Sequence, residues 1–252
     1  MDAHDRASAL VDILRHDGRI LVADAAVRFG TAEMTIRRDL DQLVERGVAR
    51  RVRGGAVSTL MRGDELPYSM RTIESTSTKK KLGQAVAELI GDGEAVALDS
   101  GTTTFEVARA LSGRRMTIMP LSLHVASALA SDADTRLILP GGEVRMGELT
   151  MTGPLALASI AALRFDTAVL GCCGVTDSGD VTAYDLGDCA VKQAIGAAAT
   201  RRILVLDGSK FGRSAMAVVG PVTTYDIVVT DSTAPPATLA RLKENGIVVH
   251  SV

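Results

Sequence analysis

Seven short apolar runs recur through the last two-thirds of the chain: Ala95 to Leu98, Met116 to Met119, Leu137 to Leu139, Thr167 to Leu170, Ile203 to Leu206, Ile227 to Val229 and Ile247 to Val249. None alternates apolar with polar residues, so each is expected to be covered on both faces, as strands of a parallel sheet are. Helical patterns separate most of them, such as Leu155 to Leu163, Ala190 to Ala199 and Pro236 to Asn245. Another, through Leu82, Val86 and Leu89, precedes the first run, and one through Phe105, Val107 and Leu111 follows it. Alternating strand and helix predict an α/β fold with a mostly parallel sheet between two helical layers. In such sheets ligands bind beyond the carboxyl ends of the strands.

The first sixty residues follow a different pattern. Leu10, Val11 and Leu14 mark a helix that stops near Gly18, Leu21 to Phe29 marks a second ending at Gly30, and Thr31 is placed to cap a third, with Glu33 near its positive end. On the third, Ile36, Leu40, Leu43 and Val44 share one face and leave Thr35, Arg37, Arg38 and Asp41 on the others. Gly47 is suited to end this helix, and Val48 to Val57 then carries Arg50, Arg51 and Arg53 with no acid before and after a Gly54-Gly55 break. The expectation is a winged helix-turn-helix, its last helix entering the major groove and the hairpin forming a two-stranded wing. Arginines clustered on a hairpin gain little for folding, whereas each phosphate contact adds salt-dependent affinity. The plainer alternative is that the helix arginines pair with Glu33, Asp39 or Asp41, each pair contributing only about 0.2 to 0.5 kcal/mol.

A formal net charge of −2 over 252 residues gives no global attraction to nucleic acid, so any basic site is local. Three cysteines, two of them the adjacent Cys172 and Cys173, make neither a disulfide framework nor a metal-ligand spacing, and are read as reduced, packed thiols. The charged N-terminus lacks a signal-peptide core and no apolar run reaches the roughly 20 residues of a span, so a cytoplasmic protein is expected. Ser58 to Lys80, with Gly63, Pro67 and the start of a lysine triplet at a solvated helix start, reads as a connector. The expected organisation is therefore a DNA-binding domain over 1–57, a linker over 58–80 and an α/β domain over 81–252.

The strand ends of the larger domain collect small and charged residues. After Leu98 come Asp99, Ser100, Gly101, Thr102 and Thr103, a turn opening a helix whose free N–H groups suit a phosphate. Gly141 and Gly142 follow Leu139, and Gly171 to Gly174 follow Leu170, permitting close backbone approach. Asp207 and Lys210 follow Leu206, and Lys192 lies on the helix after Asp185 and Asp188. An enzyme could use Asp99, Asp185 or Asp207 as a base with Lys192 or Lys210 as electrophile, but no histidine completes a constellation, and His124 is read as structural. A nonspecific architectural DNA binder would keep the arginine wing and leave the pocket unused.

The runs TIRRDLDQL and RGVARRVRGGAV, preceded by Arg6, Leu10 and Leu14, resemble the DNA-binding domain of the DeoR family of bacterial transcriptional regulators. LDSGTTT, LILPGGEVRMGELTMTGP, FDTAVLGCCGV, AVKQAI and LVLDGSKF resemble its effector-sensing domain over essentially all of 80–252. The resemblance implies a sensor with the fold of sugar-phosphate isomerases and glucosamine-phosphate deaminases, needing no cofactor. It implies a repressor of a carbohydrate or related catabolic operon, released from double-stranded operator DNA by a phosphorylated sugar-type metabolite and working as a homodimer or homotetramer. Thr31, Glu33, Thr35, Arg37, Arg38, Arg50, Arg51 and Arg53 would meet DNA. Carried over by position, Ser100 to Thr103 would form the phosphate loop, with Asp99, Lys192 and Lys210 lining the pocket and Ser122, Gly141, Gly142, Gly174 and Asp207 completing the rim. Four positions depart from the family pattern: Ala32 replaces a capping serine, Arg53 a histidine before the glycine pair, and Pro120 and Leu121 a threonine and asparagine before Ser122.

Overall fold

The computed structural model describes residues 3–59, 66–72 and 74–252, and the chain divides into two compact units, Met1–Ser75 and Thr76–Val252. The first unit runs α1 (Ala3–Asp17), β1 (Arg19–Leu21), α2 (Val22–Phe29), α3 (Glu33–Glu45), β2 (Ala49–Val52), β3 (Gly55–Ser58) and α4 (Tyr68–Arg71). Leu10, Leu14, Ile36, Leu40 and Leu43 meet Val48 and Ala56 in one core, so the apolar stripe expected on α3 is the face it buries. The wing is larger than the expected hairpin, because β3 pairs antiparallel with both β2 and β1. Three residues between two helices carry no readable periodicity; Ile20 recruits them by burying its side chain in the core. The glycine pair answers two separate demands. Gly54 turns the hairpin at φ 79°, and a Cβ on Gly55 would lie 1.8 Å from the carbonyl oxygen of Ile20 on β1.

The expected connector is not bare chain where the structure describes it. Residues 60–65 and 73, Gly63 among them, lie outside the described residues. Leu66 and Met70 are buried in the core of the first unit, apolar side chains that a mostly polar stretch turns inward. From Thr76 the chain is already helical, and Lys79 is buried rather than solvated.

In the second unit α5 (Thr76–Glu88), β4 (Ala95–Leu98), α6 (Thr102–Leu111), β5 (Met116–Pro120), α7 (Leu123–Ser127) and β6 (Thr135–Leu137) come first. A hairpin of β7 (Glu143–Arg145) and β8 (Thr150–Thr152) follows, then α8 (Gly153–Ala161), β9 (Phe165–Leu170), β10 (Gly174–Val175), β11 (Asp180–Ala183) and α9 (Leu186–Ala198). The chain closes with β12 (Ala199–Val205), β13 (Ala217–Pro221), β14 (Ile227–Thr230), α10 (Pro236–Glu244) and β15 (Val248–Ser251). Among the described residues, seven strands make one parallel sheet in the order β15-β14-β12-β9-β4-β5-β6. Both sheet faces are apolar, which is why the strands show no polar alternation. Val96 and Leu98 pack with Leu82, Val86, Val107 and Leu111, while Ala97 belongs to the opposite layer with Ile160, Val191 and Ile195. The short antiparallel pieces β7-β8 and β10-β11-β13 lie outside this sheet. At the amino ends of the central strands, Arg201 donates to Glu94 at 3.1 Å and to Thr167 at 2.7 Å, tying β12 and β9 to the start of β4. The chain leaves β4 for β5 on one side and reaches β9 on the other, so strand order reverses between β4 and β9, the position at which open α/β sheets hold ligands. Among the described residues, no helix is long and apolar enough to cross a membrane.

One buried ion pair holds α1 to α3: Arg6 Nε donates to Asp39 Oδ2 at 2.5 Å, with the side chains only 11% and 9% exposed. Breaking a buried pair leaves a charge with its partner gone. Arg6→Ala and Asp39→Ala are each expected to cost about 3 kcal/mol in urea unfolding followed by circular dichroism, and the double variant clearly less than the sum of the two. Additive losses would show that the pair contributes no coupling.

Candidate functional site

The exposed side of α3 sorts its charges. Arg37 Nη2 donates to Glu33 Oε2 at 3.0 Å across one helical turn, with both side chains more than half exposed. Arg51, from the wing, donates through Nε to Asp41 Oδ1 at 2.8 Å and through Nη2 to the carbonyl of Arg37. The wing arginines are therefore not all unopposed: the acid that meets Arg51 comes from the preceding helix, 10 residues away in sequence. Arg38, Arg50 and Arg53 are exposed and have no hydrogen-bond or ion-pair partner among the described residues. Thr35 is half-buried. Thr31 does not cap α3. The helix starts at Glu33, so Ala32 holds the N-cap position with no side-chain bond, and the Thr31 amide is committed to the carbonyl of Ala26 at 3.0 Å, closing α2.

At the reversal between β4 and β9, Asp99 follows the last residue of β4 and is fully buried. Its Oδ1 accepts the Ser100 amide at 2.7 Å and its Oδ2 the Gly171 amide at 2.8 Å. The buried ammonium of Lys192, on α9, donates to Asp99 Oδ2 and to the Gly171 carbonyl, the latter at 3.3 Å. Burial pushes the Asp99 carboxyl up, and Lys192 with the two amides pulls it only part of the way back. Burial would push Lys192 down, but the Asp99 carboxylate outweighs this and holds the ammonium protonated well above the ordinary lysine range. Beside the pair, Gly101 at φ 114° leads into α6 with no side-chain cap, leaving the N–H groups of the Thr102 turn as an anion-binding end. Ser100 and Thr102 are buried and Thr103 half-buried. Lys210 is half-buried, pairs with no acid among the described residues, and lies near enough to Cys172 to lower its pKa.

The other expected rim residues serve the fold. Ser122 is fully buried and caps α7 by accepting the Val125 amide at 3.3 Å. A Cβ on Gly142 would fall 2.3 Å from the Thr152 carbonyl oxygen, and one on Gly174 would fall 2.5 Å from that of Arg213. Gly141 has only Leu155 within van der Waals reach of such an atom. Asp207 spends its carboxylate on the amide and hydroxyl of Ser209. Leu121, which stands where the family pattern has a pocket asparagine, is fully buried in the core layer with Met119 and Ala156, as suits an apolar side chain at a strand end. Its identity bears on packing.

With this geometry in view, the chain matches the DeoR-like helix-turn-helix domain over residues 6–60 and the DeoR C terminal sensor domain over residues 74–232. The chain belongs to the DeoR family. Among its relatives, a glycerol-3-phosphate regulon repressor of Escherichia coli K12 is 31% identical over 98% of both chains. A putative aga operon transcriptional repressor of Escherichia coli O157:H7 is 30% identical over 97% of this chain and 92% of the relative. A ribose 5-phosphate isomerase A from Methanocaldococcus jannaschii aligns over 55% of each chain at 16% identity and a TM-score of 0.42, a likeness on which nothing here rests.

Three features of this DeoR-family chain are tertiary: their partners cannot be read from any local pattern. Gly171 supplies an amide and a carbonyl to the Asp99–Lys192 pair. Arg145, on β7, meets Asp188 at the start of α9 and approaches Asp185 at 3.8 Å, fastening the hairpin to the helix that bears Lys192. Thr150, bridged to Ser122, keeps a fully buried hydroxyl without a partner. These contacts join residues 21 or more apart in sequence or depend on strand register, so no local spacing could announce them.

Two outcomes test the site. Arg50→Ala and Arg53→Ala should each lower the slope of log affinity against log salt by about 1 on any duplex. Arg51→Ala should be mimicked by Asp41→Ala, since both release the wing from α3; if Asp41→Ala leaves binding untouched, Arg51 acts on DNA directly. In the second unit, the Cys172 sulfur is enclosed although the residue keeps some surface, and burial pushes its thiol up to about 12. Only about one thiol in ten thousand is then ionised at pH 8. Iodoacetamide at pH 8 should leave Cys172 unmodified in the native protein and label it in urea, as read by peptide mass spectrometry.

Proposed function

We propose that this protein is a transcriptional repressor that reads double-stranded operator DNA through residues 1–57 and releases it when a phosphorylated sugar-type metabolite binds residues 81–252. The observation that carries the reading is the uncapped start of α6 at the sheet's strand-order reversal, with Lys210 following β12 at the carboxyl edge of the same parallel sheet and pairing with no acid among the described residues. It occurs on a chain whose other unit exposes Arg38, Arg50 and Arg53 unpaired. Amide donors and a cation suit a dianionic phosphate. Lys192 is neutralised by Asp99 and acts as a strut beneath the site, with Lys210 as the phosphate partner. Arg38 reads base edges, Arg50 and Arg53 bind phosphates, and the exposed Glu33–Arg37 pair is weak enough to open on the duplex. The protein works in the cytoplasm as a homodimer or homotetramer on repeated or inverted half-sites, since one small module reads too few bases for an operator.

Catalysis fits the site less well. Both Asp99 oxygens are occupied by donors, so this carboxylate is not free to take a substrate proton, and Asp207 commits one oxygen to Ser209.

Thermal unfolding against triose, pentose, hexose and hexosamine phosphates tests the reading. Glycerol 3-phosphate joins the panel because a relative is named for that regulon; inorganic phosphate and the free sugars serve as controls. A ligand at one hundred times its Kd should raise Tm on the order of 5–10 °C, Lys210→Ala should weaken it about 10- to 100-fold, and operator affinity should fall about 5- to 150-fold. No shift with any phosphorylated compound would overturn the sensor half of the proposal and leave the DNA-binding half standing.

A further inference from the structure

We infer that Met34 reads the 5-methyl group of a thymine in the major groove, and that Arg38, one helical turn along, reads a guanine about two base pairs away. This deepens the operator-binding reading above and rests on it.

Ile36, Leu40 and Leu43 of α3 are in the core of the first unit, and Asp39 is locked to Arg6. The outward side presents Glu33, Met34, Arg37, Arg38 and Asp41. Two of those residues cancel each other, Glu33 with Arg37, and Asp41 is taken by the wing through Arg51. What remains in the first two turns is Met34, 68% exposed, and Arg38, exposed and without a partner among the described residues; the exposed Gln42 and Glu45 lie nearer the end of the helix.

A single exposed apolar residue is ordinary on a protein surface, so the position decides. Met34 is the second residue of α3, and the N-terminal residues of a recognition helix are the ones that meet base edges. Among the groups that base pairs present in the major groove, the thymine methyl is the apolar one. A thioether chain with several rotatable bonds adapts to a methyl without demanding one fixed geometry. Residues four apart share a helix face and lie about 6 Å apart along the axis. With base pairs stacked about 3.4 Å apart, two side chains at that separation span about two steps. Arginine is the side chain best matched to guanine O6 and N7, so the Met34–Arg38 face is complementary to a thymine and a guanine at that spacing.

The test begins by enriching duplexes bound by the full-length protein from a random library. Each thymine of the selected site is then replaced by deoxyuridine, which removes only the methyl, and each guanine by 7-deazaguanine, which removes only the N7 acceptor. Wild type should lose about fourfold in affinity at one thymine and at least as much at a guanine two steps away. Met34→Ala should bind the thymine and deoxyuridine duplexes equally while still losing affinity with 7-deazaguanine; Met34→Leu should keep the preference for thymine. Arg38→Ala should show the reverse pattern. The inference fails if no deoxyuridine substitution weakens wild type by more than twofold, or if the loss persists in Met34→Ala. Failure to enrich any sequence would overturn the operator reading itself.

Discussion

An ammonium buried against a carboxylate at the centre of the sheet sets the geometry of the larger unit. Withdrawing two charges from water carries a desolvation cost of several kcal/mol per ion, recovered only when every remaining lone pair and proton has a partner. Asp99 accepts from two backbone amides and from Lys192, and Lys192 spends two of its three protons on Asp99 and the Gly171 carbonyl. The pair thereby fastens the end of β4, the end of β9 and the middle of α9 at the point where strand order reverses. With that pair turned inward, the carboxyl edge of the sheet keeps the uncapped turn at Thr102 and, after β12, the ammonium of Lys210, which pairs with no acid among the described residues. Arg145 extends the same scaffold, joining the β7-β8 hairpin to the start of α9.

The smaller unit divides its charges on the same principle. Asp39 and Arg6 are buried together and hold helices; Asp41 and Arg51 hold the wing to α3. Charges committed in this way cost extra to withdraw, and Arg38, Arg50 and Arg53 are left exposed without a partner among the described residues. α3 forgoes a side-chain cap at Ala32, a loss of roughly 0.5 to 2 kcal/mol for an isolated helix. The unit offsets it by burying Ile36, Leu40 and Leu43 and by the Arg6–Asp39 pair, tertiary contacts that outweigh a local deficit.

Much of the architecture was legible without coordinates. The unbroken apolar runs read as parallel strands because both sheet faces are covered, as Val96 and Ala97 illustrate by facing opposite layers. Gly54-Gly55 read as a hairpin turn, although the reason for the second glycine, the carbonyl of Ile20, lay 35 residues away on a strand too short to detect. Thr31 misled because a capping residue is recognised by its place relative to the first helical residue, and α3 begins one position later than its polar neighbours suggest.

The sequence by itself determined two units, a parallel sheet, a helix followed by a basic hairpin, and a small-residue turn opening a helix after the first strand, since these depend on periodicity and turn chemistry within a few residues. Tertiary structure alone decided which charges are spent and which are free. Arg6 meets Asp39 across 33 residues and Lys192 meets Asp99 across 93, and pairing at such separations is set by how elements pack. For the same reason Leu121 left the pocket for the core, and Gly142 and Gly174 answered to a passing backbone: burial and close approach belong to the folded chain, and no residue carries them alone.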